Sequence, residues 1–351
     1  MKEGRSLGSV EVTEALLILA TSLTRLAEHN DSITELNVAI LLLQQNDRAT
    51  YPALSHAIQA ALVTALIRRS ERTGNSSDLM DALLIAEHQL ADCDRRASPA
   101  EWVNLALGAG VALVRLAERE DCAERAGQAV GMLRLALKHC PENARELWAS
   151  TANALATALT RAGERTGDLA VLHEALTYLK RCQSLRSRNE KPLLWASTLT
   201  DTANVLARLG EREADPRRYR DAIANLRQAL EVVTPNLSPR DYLETLNNLA
   251  FILVKLAATT GDDGPLDAAL AAVDAAELAI TEAAAPLDWA VLQSTKAFAL
   301  LERWKMRRSM SLARQATRAA QNALRHVSAQ QAPQVYKMVT GIVSELNSIG
   351  V

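Results

Sequence analysis

Residues 238–257 read SPRDYLETLNNLAFILVKLA, and the opening of this stretch recurs along the chain at a fixed interval. The equivalent segments are SPAEW (98–102), RELW (145–148), KPLLW (191–195), APLDW (285–289) and APQVY (332–336). Each ends in an aromatic residue, and these form an anchor column: Trp102, Trp148, Trp195, Tyr242, Trp289 and Tyr336. Successive anchors are 46 or 47 residues apart, and one further step of 46 towards the N-terminus reaches His56. Such a period indicates an array of repeated supersecondary units.

Columns of small residues divide each repeat into two helices. Eight residues after the anchor come Thr64, Gly110, Ala156, Ala203, Ala250 and Ala297. Further along each repeat lie pairs of small residues seven apart: Ala129/Ala136, Ala175/Cys182, Ala222/Ala229, Ala269/Ala276 and Ala316/Ala323. Residues seven apart share one face of a helix, and small ones allow a neighbouring helix to approach closely. Loop segments such as RTGD (165–168) separate the two stretches, so each unit is predicted to be helix A, loop, helix B.

These columns resemble the tetratricopeptide (TPR) repeat. LNNLAFILVKLA (246–257) is similar to TPR helix A, and DAIANLRQALEVVTP (221–235) is similar to helix B with its closing proline. A standard TPR spans about 34 residues, so this longer period is similar to the lengthened TPR-like repeats of bacterial proteins.

The resemblance implies an all-α fold, a right-handed TPR-like helical-repeat solenoid. Because the period continues without a break, we expect a single elongated domain over residues 1–351. A capping helix, 333–348, should follow about seven helical pairs: 6–46, 51–94, 98–140, 144–187, 191–235, 238–283 and 285–328.

The composition excludes several functional classes. Among 351 residues, 39 Lys and Arg balance 41 Asp and Glu, which argues against a surface that coats nucleic acid. No uninterrupted apolar stretch reaches roughly 18 residues, so no membrane span is predicted. The N-terminal sequence lacks a signal-peptide pattern, and the cysteines lack metal-binding spacing. We therefore expect a cytoplasmic protein whose cysteines fill helix interfaces.

Signatures of catalysis are missing from the sequence. The chain contains no GxxxxGK[ST] phosphate loop, no GxSxG nucleophile elbow and no HExxH metal-binding pair. Its six histidines are scattered along the chain. We expect no enzymatic activity, no cofactor and no bound metal.

The TPR resemblance places partner binding in a concave groove that is lined by the A helices. The residues that it assigns to this groove are Arg115, Asn153, Arg161, Thr200, Asn204, Arg208, Asn247, Phe251, Lys255 and Phe298. Amide side chains can pair with a peptide backbone and cations with carboxylates, which predicts a groove for an extended or acidic peptide. Two alternatives stay open. The cations can be solvated helix ends paired with glutamates three residues on, and the two phenylalanines can belong to the core.

A second charged surface follows from the C-terminal sequence. Residues 260–283 contain six acids and no base, whereas residues 284–351 contain nine bases and three acids. One interpretation is a docking patch for an acidic partner, formed by Arg303, Trp304, Lys305, Arg307 and Arg308. The alternative is the solvated outer face of a terminal helix. No nucleic-acid-binding motif supports an interaction of this patch with nucleic acid.

The sequence therefore predicts a non-enzymatic scaffold or adaptor that binds a peptide or partner protein in the groove. One alternative is a signalling regulator, resembling bacterial TPR proteins that sense a peptide or bind a response regulator. Another is an assembly protein that associates with further copies of itself.

Overall fold

The computed structural model describes residues 9–30, 32–45, 52–120, 122–283, 285–329 and 332–348. Within these ranges the chain forms fifteen α-helices and no strand. They are α1 (Ser9–Asn30), α2 (Ile33–Gln45), α3 (Pro52–Thr73), α4 (Ser76–Asp92), α5 (Pro99–Glu120), α6 (Ala123–His139), α7 (Arg145–Thr166), α8 (Leu169–Leu185), α9 (Pro192–Glu213), α10 (Pro216–Leu230), α11 (Pro239–Thr260), α12 (Gly264–Ala279), α13 (Pro286–Arg307), α14 (Met310–Leu324) and α15 (Pro333–Asn347). The predicted boundary residues 6, 46 and 51 lie outside the described ranges.

Helix lengths alternate as the repeat predicts. Every odd-numbered helix from α1 to α13 has 22 residues. The even-numbered helices are shorter, with 17 residues in α4, α6 and α8 and 15 in α10 and α14. Consecutive helices pack in pairs, as α3 does with α4, α9 with α10 and α13 with α14. The prediction of an all-α, TPR-like helical repeat is confirmed.

Two compact units make up the chain. Unit 1 comprises residues 1–118 and 122–158, and unit 2 comprises residues 119–121 and 159–351. Helix α7 contributes to both units, because the division falls after Ala158. That residues 1–351 form one elongated domain stays a prediction.

Prolines and acidic caps explain where the helices begin. Helices α9, α11, α13 and α15 start at a proline, whose missing N–H would have had no partner within the helix. Several B helices start at a polar cap. The carboxylate of Asp168 accepts a hydrogen bond from the backbone N of Ala170 at 2.8 Å, and that of Asp215 accepts one from Arg217 at 3.0 Å. These bonds satisfy amides that the first helical turn leaves free.

A residue in the left-handed conformation ends several A helices. Gly167 and Gly261 have φ angles of 73° and 71°. Ala214 and Arg308 occupy the equivalent positions with φ angles of 51° and 53°. Glycine adopts this conformation readily because it lacks Cβ, whereas other residues pay about 1–2 kcal/mol. The turn between helices A and B is therefore retained even where glycine is replaced.

Small residues allow the close contacts between helices. The members of the A-helix column that are fully buried are Ala156, Ala203, Ala250 and Ala297, whereas Thr64 is exposed. Gly110 of α5 lies so near Leu133 of α6 that a Cβ on the glycine would be 2.5 Å from the leucine Cγ. In the B helices the small pairs, from Ala129 and Ala136 to Ala316 and Ala323, are fully buried as well. The columns thus mark helix interfaces.

Helix α5 is long and apolar enough to cross a membrane by composition alone, the only such helix in the described ranges. Of the most apolar 18-residue window of this helix, 61% is buried within the fold. Its residues Trp102, Val103 and Leu105 belong to a core cluster that also contains Cys93 and Ala136. Packing inside unit 1 therefore accounts for the apolar character of α5.

The last helix covers the final pair of unit 2. Helix α15 packs against α13 and α14. Val339, Ile342 and Leu346 are buried in a cluster with Trp304 and the alanines of α14. The predicted capping helix over residues 333–348 is confirmed at Pro333–Asn347.

Candidate functional site

The A helices of unit 2 bring the two phenylalanines of the chain together. The ring centroids of Phe251 on α11 and Phe298 on α13 are 5.8 Å apart, and the ring planes are inclined by 40°. Both side chains are half-buried, and Phe298 packs against the core cluster of α13, α14 and α15. The pair therefore belongs partly to the core and still presents aromatic surface.

Lys255 lies beside both rings. Its Nζ is 5.6 Å from the ring centroid of Phe251 and 5.9 Å from that of Phe298, within the range of a cation–π interaction. The same Nζ donates a hydrogen bond to Glu211 Oε1 at 2.7 Å. We call Phe251, Phe298 and Lys255 the Phe–Lys cluster. It combines apolar surface with a positive charge held in a defined position.

Two asparagines of the predicted groove lie on the A helices α9 and α11 of unit 2. The Oδ1 of Asn247 accepts a hydrogen bond from the hydroxyl of Thr295 at 2.8 Å, and its Nδ2 group remains as a donor. Asn204 lies one repeat before Phe251 and is half-buried. Its side chain makes no hydrogen bond to any residue in the described part of the chain. Each amide can therefore bind the backbone of an extended peptide.

Other members of the predicted polar row differ in accessibility. Thr200 is only 8% exposed, and its hydroxyl donates to the backbone carbonyl of Ala196 at 3.2 Å. This residue has little surface for a ligand and no free hydroxyl proton, so we leave it out of the candidate site. Asn153 is half-buried on α7 and belongs to unit 1.

The predicted cations of unit 2 alternate with glutamates. Arg208 Nε lies 2.5 Å from Glu164 Oε1, one A helix earlier, and its Nη1 lies 3.5 Å from Glu211 Oε2 on its own helix. Arg161 contacts Glu164 at 3.1 Å, and Lys255 contacts Glu211 at 2.7 Å. We call these five residues the ion-pair ladder. The ladder thus contains three cations and two carboxylates.

A similar arrangement occurs in unit 1. The Nη2 of Arg115 lies 3.0 Å from Glu71 Oε1 on α3, and its Nη1 lies 3.2 Å from Glu118 Oε2 on α5. The sequence predicts the pairs between residues three apart, but the pairs between successive A helices were missed. The missed pairs could have been found from glutamate, which recurs at the repeat period at Glu118, Glu164 and Glu211. Surface pairs of this kind, here partly exposed, contribute about 0–1 kcal/mol each, so a ligand carboxylate can replace a glutamate.

The ion-pair ladder makes the stability of the fold depend on pH. Burial alone would raise the pKa of Glu211, but the hydrogen bond and charge of Lys255 and the charge of Arg208 lower this pKa below its ordinary value. A lowered carboxyl pKa stabilises the fold above the pKa of the unfolded chain, and this contribution is lost as the pH falls through the folded-state pKa.

We therefore expect the wild type to lose more stability than Glu211→Gln between about pH 6 and about pH 3. Urea unfolding midpoints measured at both pH values check this prediction. Glu142→Gln removes an exposed glutamate outside the ladder and serves as the control. Equal losses in the wild type and Glu211→Gln would contradict it.

Residues of the predicted second patch are largely engaged within unit 2. The side chain of Arg303 is 11% exposed and contacts Asp263 at 3.1 Å and also Asp267. Arg307 pairs with Asp263 as well. Trp304 is 6% exposed and belongs to the core.

The remaining two residues of the patch also have partners in unit 2. Lys305 contacts Glu302 at 2.9 Å and Glu345 at 3.1 Å. The guanidinium carbon of Arg308 lies 4.9 Å from the ring centroid of Trp304. Pairing of Arg303 and Arg307 with Asp263 and Asp267 accounts for part of the charge asymmetry of the sequence without a bound partner.

No family model and no curated protein sequence matches the chain. Among solved structures it is similar to a Rap protein complexed with competence and sporulation factor, with 13% identity and a TM-score of 0.45. That match covers 96% of this chain and 99% of the Rap chain. It is also similar to a circular tandem repeat protein with a novel repeat topology, with 17% identity, a TM-score of 0.34 and coverage of 95% and 91%.

Proposed function

We propose that this protein is a non-enzymatic interaction scaffold of the cytoplasm, and that the A-helix face of unit 2 binds an extended peptide segment of a partner protein. The observation that carries the proposal is the Phe–Lys cluster, in which half-buried aromatic rings lie next to a lysine. Aromatic residues with accessible surface at a fixed position are typical of the residues that dominate protein binding.

The surroundings of the cluster define the ligand. An apolar side chain of the peptide packs on Phe251 and Phe298, where it removes aromatic surface from water. The amides of Asn204 and Asn247 pair with the peptide backbone. A peptide carboxylate takes the place of Glu211 beside Lys255.

Selection from a random peptide library displayed on phage tests this proposal. Immobilised protein should enrich peptides that combine an apolar side chain with a nearby Asp or Glu. Synthetic versions of the enriched peptides then give dissociation constants by fluorescence anisotropy. Enrichment of basic peptides, or no enrichment in repeated selections, would contradict the proposal.

Charge in the ladder should control the salt dependence of binding. We expect Arg161→Ala/Arg208→Ala to weaken binding of an enriched acidic peptide by about tenfold at low salt, because the double variant removes two cations that attract the peptide carboxylates. The slope of affinity against salt concentration should become flatter. Arg220→Ala/Arg227→Ala removes the same charge from exposed positions on α10 and is the matched control. If both double variants weakened peptide binding equally, the peptide would not bind at the ion-pair ladder.

A further inference from the structure

Three potential metal ligands meet in unit 1, remote in sequence from the Phe–Lys cluster. They are His56 on α3, Cys93 at the C-terminal cap of α4 and Glu101 in the first turn of α5. One ligand atom from each lies within 4.8 Å of the other two. The Nδ1 of His56 is 3.6 Å from Glu101 Oε2. Among the described residues, this is the group that offers a nitrogen, a sulfur and an oxygen ligand together.

The distances suit a small tetrahedral ion. Zn–N and Zn–O bonds of about 2.1 Å place two ligand atoms of a tetrahedral site about 3.4 Å apart. The separation between His56 and Glu101 already lies close to this value. The thiol sulfur lies within 4.8 Å of both, so it needs to move by at most roughly 1 Å, a shift within reach of side-chain rotation.

The ligand types favour zinc over the other common divalent ions. Thiolate and imidazole are preferred by Zn²⁺, whereas Mg²⁺ and Ca²⁺ prefer oxygen atoms. Three protein ligands leave the fourth tetrahedral position open to water. The side chains of His56 and Glu101 are 24% and 43% exposed, so solvent and ions reach the cluster from outside.

The surroundings of Cys93 attract a cation. The residue is only 6% exposed, and the carboxylates of Glu101 and Asp94 lie near its thiol. A divalent ion bound here neutralises the thiolate and the carboxylate of Glu101 together.

The anchor column also sets this repeat apart. Where later repeats have an aromatic residue, from Trp102 onward, the repeat of α3 has His56. The ligands belong to three different helices, so their sequence spacing does not resemble a metal-binding motif.

We propose that His56, Cys93 and Glu101 bind one Zn²⁺ ion, which links α3, the end of α4 and the start of α5. Binding forms bonds from the metal to the imidazole nitrogen, the thiolate sulfur and a carboxylate oxygen, and it releases the thiol proton to solvent. The ion stabilises the contact between two consecutive helical pairs of unit 1.

Cobalt substitution tests the thiolate ligand directly. Co²⁺ added to metal-free protein should produce a thiolate-to-cobalt charge-transfer band that saturates at one equivalent, and Zn²⁺ should abolish the band. Cys93→Ser should remove it. Cys140→Ser is the matched control, because Cys140 is half-buried in the same core region and carries the other thiol there. A band that persists in Cys93→Ser, or no band in the wild type, would overturn the proposal.

Competition with a chromophoric chelator measures zinc affinity. Glu101→Gln changes an accessible side chain and should leave the fold intact, as far-UV circular dichroism can verify. Glu101→Gln and His56→Gln each remove a direct ligand, so we expect each to weaken Zn²⁺ binding by at least roughly 10-fold. Unchanged affinity in both variants would refute the assignment of these ligands.

Discussion

Phe251→Ala/Phe298→Ala should weaken binding of a selected peptide by about 100-fold, which corresponds to about 2.7 kcal/mol of binding free energy. The two rings lie 5.8 Å apart and form one apolar surface, so their removal takes away the main contact of the proposed ligand. Lys255 also loses both cation–π contacts. Fluorescence anisotropy with the labelled peptide measures the loss.

The control for this prediction removes apolar surface elsewhere. Leu84 on α4 and Leu278 on α12 are 68% and 91% exposed, so Leu84→Ala/Leu278→Ala changes little else. We expect this double variant to bind like the wild type. Because Phe298 also packs on the core, circular dichroism must first show that the phenylalanine variant is folded. A folded phenylalanine variant with wild-type affinity would rule out the cluster as the binding site.

Gly110→Leu should lower the stability of unit 1 by about 3 kcal/mol. A Cβ at this position already lies 2.5 Å from Leu133 Cγ, and Leu133 is fully buried. The larger side chain must therefore separate α5 from α6. Urea denaturation followed by far-UV circular dichroism gives the change in the unfolding midpoint.

A second glycine provides the contrast. Gly127 lies within α6, and a Cβ there would have no atom within 4 Å. Gly127→Ala should therefore stabilise the protein by about 0.5–1 kcal/mol, because alanine loses less backbone entropy in a helix. If Gly110→Leu unfolded at the wild-type midpoint, the small-residue column would not be an interface between helices.

Much of the fold could be predicted because its signals are local and repeated. Prolines before the anchors mark helix starts, and pairs of small residues mark the packed face of each B helix. The predicted cap over residues 333–348 differs from α15 by a single residue at its end. The predicted end of the pair 191–235 was less accurate, because α10 already ends at Leu230. A proline gives only an outer limit for the end of a helix, because the last helical turn can end several residues before it.

The candidate site could be predicted only in part. The 47-residue separation of Phe251 and Phe298 indicates that they occupy equivalent positions on neighbouring A helices, and the structure places them in contact. Their half-buried state depends on how far each helix is rotated, which the sequence does not determine. Pairs such as Arg208 with Glu164 depend on the distance between helices as well. The cluster of His56, Cys93 and Glu101 could not be predicted either, because its members come from three elements and meet only when these elements pack together.

The location of a bound peptide tests the central claim most directly. A selected peptide that carries a benzophenone group can be crosslinked by light to the wild-type protein, and mass spectrometry identifies the modified residues. We expect adducts on the A helices of unit 2, at residues 204–211 of α9, 247–255 of α11 and 294–302 of α13. Adducts confined to the B helices α10, α12 and α14, or to unit 1, would contradict the proposal that the Phe–Lys cluster binds the partner.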